Sequence, residues 1–354
     1  MRALTDACGF MLPQWLYVAI KLGLPETLMG KSLNAQELAL ELSVPHDRLT
    51  RLLYALEQHG YFRRVITGTS RAGRNEEESP WTHTALSAVL AETHPNSVRA
   101  IVLHWVEDCF VTSSALLEAF RTNTCAFSIH HRGKHRSFFQ DYLTEYPQQS
   151  KQFSKAMSQS SAFTSLAVLR DFDWSRYTEI IDVGGASGSF LEMVLKANPK
   201  ARGVLFDLEA VIDGAEAVWT EKPVELTSRV TLRRGSFFHR ETIPILPKRS
   251  TFVLRNILHD WPDDDCLRLL SNLRQSMPEQ QSSLILIEFG LGFDSPRHIL
   301  EQARSTIDML MMVMFDGRER THHQLERLLS EAGFRIKSVT PTRSIAHIIE
   351  ATPI

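Results

Sequence analysis

The chain has 354 residues, 43% of them hydrophobic and 23% charged, with a formal net charge of −2. That is enough length for two domains with separate cores, and the near-neutral balance excludes a global basic field for nucleic acid. Cys8, Cys109, Cys125 and Cys266 form no CxxC pair and read as reduced thiols of a cytoplasmic protein, while the apolar run from Gly9 to Ile20, broken by Pro13 and Gln14, is too short to span a bilayer and has no signal-peptide cleavage pattern.

The first half of the chain is patterned for helices. Met11 to Leu28 is apolar at helical spacing, and Asn34 followed by Glu37 is a capping-box start. The run SVP ends that helix, and Leu49, Leu52, Leu53 and Leu56 then recur at helical spacing. A short strand and the polar loop TGTSRAGRNEEESP follow, so helix, turn, helix and wing resemble a winged-helix module. Such modules can place their second helix in a DNA groove, but Arg48 and Arg51 followed by Glu57 are few free cations for that role. Packing or dimerisation suits the module better. Val98 to Phe120 adds another long apolar-periodic stretch, more than one small module needs to cover itself, which points to an interlocked homodimer. The organisation expected is a helical winged-helix-like dimerisation domain over 1–105, a helical connector to the substrate pocket over 106–170, and a Rossmann-like catalytic domain over 171–354.

After residue 170 short strands alternate with helices. TEIIDV, RGVLFD, RVTLRR, STFVLRN and SSLILIE are the strands, and SGSFLEMVLKAN is a helix with Phe190, Leu191, Val194 and Leu195 toward the sheet. The alternation predicts an α/β fold with a parallel sheet and right-handed crossovers. FRIKSVT and SIAHIIEAT, with only a turn between, predict an antiparallel hairpin at its end.

The turn DVGGASG follows the first of these strands. No GK[ST] follows it and it lacks the second glycine of a GxSxG elbow, so a Walker loop and a nucleophile elbow are excluded. Asp182 would repel a pyrophosphate but accept from an ammonium group, and Asp207, closing the next strand, suits a ribose diol. S-adenosylmethionine, a ribose joined to a cationic, amino-acid-like tail, fits both acids, with a dinucleotide as the alternative.

LRNILHDWPDDDCLRLL then follows the strand STFVLRN. With DVGGASG, FDLEAVI, GSFF, LHDW, LILIE and GRERT before LSEAGF, all in order, most of the chain resembles the plant and fungal small-molecule O-methyltransferases of the caffeic-acid and flavonoid type. The resemblance implies a Rossmann-like sheet behind a winged-helix dimerisation domain, and methyl transfer from S-adenosylmethionine to a phenolic or enolic hydroxyl of a small aromatic or polyketide-like metabolite. It implies cofactor contacts at Gly184, Asp207, Ser236, Phe237 and Arg255, a general base at His259, and two acids flanking that base at Glu288 and Glu319. With Asp182, Gly185, Leu208 and Ser161 these complete the cofactor set. Met157, Asn256, Asp260 and Met311 are the substrate set.

A phenol has a pKa of roughly 10, and a histidine titrating near neutrality can take its proton while a carboxylate fixes the ring's tautomer. Asp260, beside His259, also suits the start of the next helix with Asp263 and Asp264. The pairs His130-His131 and His322-His323 lack metal-ligand spacing and read as surface residues, so no metal is expected. The methionines of DMLMMVMF suit a flat apolar guest. Four features depart from the family pattern. Ala186 replaces a glycine, so the turn is expected to avoid a positive φ there. Ser236 replaces an aspartate and offers one uncharged acceptor. Asn256 stands where plant enzymes often have tryptophan. HHRGKHRSF is unusually basic and faces an acidic substrate or only solvent. Two other readings stay open: a non-methylating relative that uses the bound cofactor for cyclisation, hydroxylation or decarboxylation, and a winged-helix regulator.

Overall fold

The computed structural model describes residues 1–65, 79–135, 137–245, 249–277, 282–292 and 298–354, with Gln140 and Phe163 described by their backbone alone. Residues 67–78 of the expected polar loop, and Arg136 of the basic run, lie outside the described residues. The chain divides into two units, Met1–Val111 with Lys151–Ser160, and Thr112–Ser150 with Ser161–Ile354.

The first unit is helical: α1 (Arg2–Cys8), α2 (Met11–Leu22), α3 (Ala35–Glu41) and α4 (His46–Gln58) precede a two-stranded antiparallel pair, β1 (Arg63–Arg64) with β2 (Trp81–Thr82). The capping box at α3 forms as expected. Asn34 Oδ1 accepts from the Glu37 N–H at 2.9 Å, and Glu37 Oε2 accepts from the Asn34 N–H at 2.8 Å. Leu49, Leu53 and Leu56 of α4 are buried, packed with Leu16, Ile20, Leu38 and Trp81. Burial of each such side chain contributes about 1.5–3 kcal/mol. No residue of α1 is buried, and Leu4, Phe10, Met11 and Val18 are exposed.

α5 (Arg99–His104) runs into a π-turn at Trp105–Phe110. The helix Arg99–Thr122 is long and apolar enough to cross a membrane by length and composition. It nevertheless carries His104 bonded to Asp108 at 2.7 Å and Glu107 paired with Lys21 at 3.1 Å, groups that are costly in hydrocarbon.

The second unit is built on a seven-stranded sheet. In chain order it holds β3 (Glu179–Val183), α6 (Ser189–Ala197), β4 (Arg202–Asp207), α7 (Glu209–Thr220), β5 (Val230–Arg234), β6 (Ser250–Arg255), α8 (Asp263–Gln275), β7 (Ser283–Glu288), α9 (Ile299–Met314), α10 (His322–Glu331), β8 (Phe334–Pro341) and β9 (His347–Pro353). Strand order is β5-β4-β3-β6-β7-β9-β8. The first five are parallel, and β9 runs antiparallel to β7 and β8, as the expected hairpin requires.

Side chains alternate across β3. Ile181 and Val183 face Leu269, Leu273, Leu325 and Leu329, whereas Ile180 faces Phe190, Leu191, Val194 and Leu195 of α6. Both faces are covered, which is why these strands read as continuous apolar runs. The chain leaves β3 first toward β4 and β5, and later returns to β6 on its other side. The crevice at the carboxyl ends of β3 and β6 is therefore the topological switch point where open α/β sheets bind ligands.

Candidate active site

Four strand ends converge at that edge. β3 delivers Asp182 and the turn at Gly184, β4 delivers Asp207, β6 delivers Arg255, and β7 delivers Glu288. Asp182 is 2% exposed, and its Oδ2 is buried with no hydrogen-bond partner among the described residues. Burial raises its carboxyl to about 7, although the charge of Arg255 opposes the shift. Gly185 explains why glycine is needed beside it: a Cβ there would lie 2.6 Å from both Asp182 Cγ and Oδ2. Any side chain at 185 would cover the acid.

Ala186 adopts φ 51°, so the expectation that this turn avoids the left-handed region is wrong. The conformation costs an alanine about 1–2 kcal/mol. It directs the Ala186 N–H onto Asp207 Oδ2 at 2.9 Å, while the Leu208 N–H bonds Asp207 Oδ1 at 2.8 Å. Burial raises Asp207 to about 6 and these two bonds oppose it.

The Gly235 N–H bonds Asp207 O at 2.9 Å, which brings Ser236 and Phe237 to the same edge. Ser236 Oγ accepts from the Phe238 N–H at 3.2 Å, so the hydroxyl standing in for an aspartate closes its own turn. Phe237 packs on Phe238 and Trp261.

Arg255 is anchored by residues of the helix Pro147–Asp171. Its guanidinium donates to Ser161 O at 2.7 Å, Ser165 Oγ at 2.8 Å and Thr164 Oγ1 at 2.5 Å, and stacks over Phe190. Burial lowers it to about 10, and its Nε is buried without a partner among the described residues. Thr164 and Ser165 were missed by sequence reasoning because hydroxyls along a helix give no distinctive pattern. Asn256 follows at φ 51°, its Oδ1 buried and unpartnered.

His259 sits on the 3-10 turn Leu258–Asp260, 8% exposed. Its Nδ1 bonds Glu319 Oε1 at 2.7 Å, and Glu319 Oε2 accepts from the Gly290 N–H at 2.9 Å. Glu319 is held in turn by its own N–H, donated to Asp308 Oδ1 at 2.8 Å. Glu288 takes a different part from Glu319. Its Oε1 accepts from the Leu258 N–H at 3.0 Å and the Ile257 N–H at 3.3 Å, and its Oε2 is buried without a partner among the described residues.

Asp260 does not cap α8, whose N-cap is Pro262 with no side-chain bond. Its Oδ1 lies 3.5 Å from His259 Nε2 instead. Burial alone would lower the imidazole's pKa. The surrounding carboxylates of Asp260, Glu319 and Glu288 outweigh it and hold His259 above its ordinary value. Asp260 and Glu288 are themselves raised to about 7, chiefly by burial.

The loop from Asp316 to Thr321 reaches this turn because residue 317 is glycine. A Cβ on Gly317 would stand 2.0 Å from His259 O and 2.7 Å from Asp260 C. Met311, on α9, is half-buried, and its carbonyl accepts from the Phe315 N–H at 2.9 Å. Met157 belongs to the first unit, against Ala100 and Ile101.

One surface expectation fails in part, since His130 is exposed but His131 is not. His131 is packed among Phe127, His135 and Tyr142, since adjacent residues on a short helix point to different sides. In the basic run, Lys134 and buried His135 both pair with Glu145, at 2.8 Å each, while Arg132 and Lys134 remain exposed. His322 and His323 are exposed. The only group of His, Cys, Asp and Glu with metal-binding spacing among the described residues is His259, Glu288 and Glu319. Both Glu319 oxygens and one Glu288 oxygen there are already taken by the bonds above.

The arrangement can accept a cationic tail at Asp182 and a diol at Asp207, and can take a proton at His259 Nε2. The buried, unpartnered Asp182 Oδ2 fits the ammonium end of S-adenosylmethionine.

Comparison with known proteins gives the family of the chain. The family described as O-methyltransferase domain matches residues 114–335, and the O-methyltransferase dimerisation domain matches residues 5–93. The chain is 31% identical to the 8-amino-8-demethylriboflavin N,N-dimethyltransferase of Streptomyces davaonensis, over 95% of this chain and 90% of that one. It is also 31% identical to the O-demethylpuromycin-O-methyltransferase of Streptomyces alboniger, over 100% of this chain and 89% of that one. The solved structure of LaPhzM superposes with a TM-score of 0.86 at 27% identity, covering 99% of this chain and 98% of that one.

Proposed function

Because the chain belongs to the S-adenosylmethionine-dependent small-molecule O-methyltransferases, we propose that it methylates a phenolic or enolic hydroxyl of a small aromatic or polyketide-like metabolite, with His259 as general base. One observation carries the oxygen-specific reading. His259 Nδ1 is tied to Glu319 at 2.7 Å, so its Nδ1–H is occupied and Nε2 is left as the acceptor. S-adenosylmethionine supplies an electrophilic methyl group on a sulfonium.

The chain's own residues do the rest. Asp182 receives the ammonium, and Asp207 the ribose hydroxyls. Arg255, held by Ser161, Thr164 and Ser165, fixes the crevice wall, with Gly184, Gly185, Leu208, Ser236 and Phe237 lining the turn side. Nε2 of His259 takes the hydroxyl proton, and Glu319 stabilises the resulting imidazolium. Asn256, Asp260 and Met311 are assigned to the substrate. The exposed apolar residues of α1 and α2 are assigned to a homodimer interface.

Nitrogen is the competing acceptor. It is supported by the acid-rich surroundings of His259, which suit a group that arrives with N–H donors, and by the relative that dimethylates an amine. Matched phenols, enols and anilines incubated with the radiolabelled methyl donor decide between them. Label in ethers with S-adenosylhomocysteine release is expected. Label only in amines overturns the oxygen assignment.

A further inference from the structure

The motif GRERT does more than supply Glu319. Arg320, the next residue, is 3% exposed. Its NH1 donates to Leu258 O at 2.7 Å and its NH2 to Trp261 O at 2.8 Å. Nε and NH2 also donate to Asp263 Oδ1, at 2.9 and 2.7 Å. Leu258 and Trp261 bracket His259 in the chain, so one rigid fork grips both ends of the turn that carries the base. The Arg320 carbonyl accepts from the Leu291 N–H at 3.1 Å, one residue beyond the Gly290 N–H that holds Glu319. Glu319 and Arg320 therefore fix the same imidazole in two ways, one through the ring and the other through the backbone.

Satisfying two carbonyls does not by itself explain a buried guanidinium. The Cys266 thiol already reaches Leu258 O at 3.3 Å and Trp261 O at 3.5 Å. Burying a cation is costly unless it is fully paired, and among the described residues Arg320 is paired with Asp263 and these carbonyls. Its charge also acts on the cluster, where it opposes the upward shift of Glu288.

We infer that Arg320 is a positioning residue for methyl transfer, which clamps the His259 turn and offsets the carboxylates around the base. The inference rests on the reading of His259 as that base.

The test compares the parent with Arg320→Lys, Arg320→Ala and His259→Ala, after each is shown to bind S-adenosylhomocysteine by calorimetry. Lysine keeps the charge but not the fork. Arg320→Lys is expected to lose about tenfold or more in kcat with KM within about twofold, and to keep the parental acid limb of the pH–rate profile. Arg320→Ala is expected to lose about 10²-fold, the scale of a misplaced catalytic group. Its acid limb is expected to move to higher pH, because the carboxylates then act on His259 unopposed. Parental kcat and an unmoved acid limb in both variants overturn the inference. So does lowered thermal stability with kcat per cofactor-binding site unchanged. If Arg320→Ala does not fold, the kcat of Arg320→Lys decides. A fully active His259→Ala removes the base reading and the clamp with it, whereas an inactive His259→Ala beside a parental Arg320→Lys removes the clamp alone.

Discussion

At the residue scale the site is defined by how many acids surround one imidazole. A general base must be neutral to act, and Asp260, Glu319 and Glu288 raise the pKa of His259. Activity governed by this group is lost as pH falls through the raised value, so the acid limb of kcat/KM should lie above the ordinary imidazole value of about 6.5. Asp260→Asn removes one carboxylate 3.5 Å from Nε2 and should move that limb to lower pH. A pH–rate profile that leaves the limb in place, or moves it upward, contradicts the assignment of Asp260 to the imidazole. His259, Glu288 and Glu319 were legible in the sequence as family motifs. Their partners were not, because a motif names residue types without stating which atom meets which. Glu288 lies beside the ring, as expected, and also holds the backbone of the turn, which the motif did not state. Asp260 was read as a helix cap and faces the ring. Ala186 was read as avoiding the conformation it adopts, since a propensity for one residue does not register the Asp207 carboxylate waiting 21 positions later for its N–H.

At the scale of elements, legibility follows periodicity. The strands of the parallel sheet, the inward face of α6 and the capping box of α3 could be read because burial on one or both faces leaves a repeat of fixed spacing. The loop Asp316–Thr321 has no repeat, and its placement depends on one absent side chain. Gly317→Ala would put a Cβ 2.0 Å from a backbone carbonyl, an atom that cannot rotate away. The loop must then lift, taking Glu319 and Arg320 with it. Unfolding free energy should drop by about 1–3 kcal/mol, the usual cost of overpacking, as read by denaturant titration. The kcat should drop by about tenfold or more, since small displacements of catalytic groups are that costly. Parental values for both would show that the loop tolerates the displacement and does not set the base. On the helix Pro147–Asp171 Ser161 was read from the sequence, whereas Thr164 and Ser165, whose hydroxyls also hold Arg255, were not, because a hydroxyl has no charge signature.

At the scale of the whole molecule, the first unit carries a helix with no buried residue and a row of exposed apolar side chains from Leu4 to Val18. A second copy would bury them, and an obligate interface of this kind covers about 2,000 Å² or more. Light scattering at micromolar concentration should give twice the chain mass, and a monomer there contradicts the homodimer. The account as a whole stands on proton removal by His259 during methyl transfer to oxygen, and one measurement tests it most directly: the rate of S-adenosylhomocysteine formation by His259→Ala against the parent, across pH, with a phenol that the parent methylates. The account predicts unchanged cofactor affinity, a loss of roughly 10²–10⁴-fold near neutral pH, and a loss that shrinks toward pH values of about 10 where the phenol ionises by itself. A His259→Ala enzyme that methylates the same phenol at the parental rate near neutral pH would contradict it.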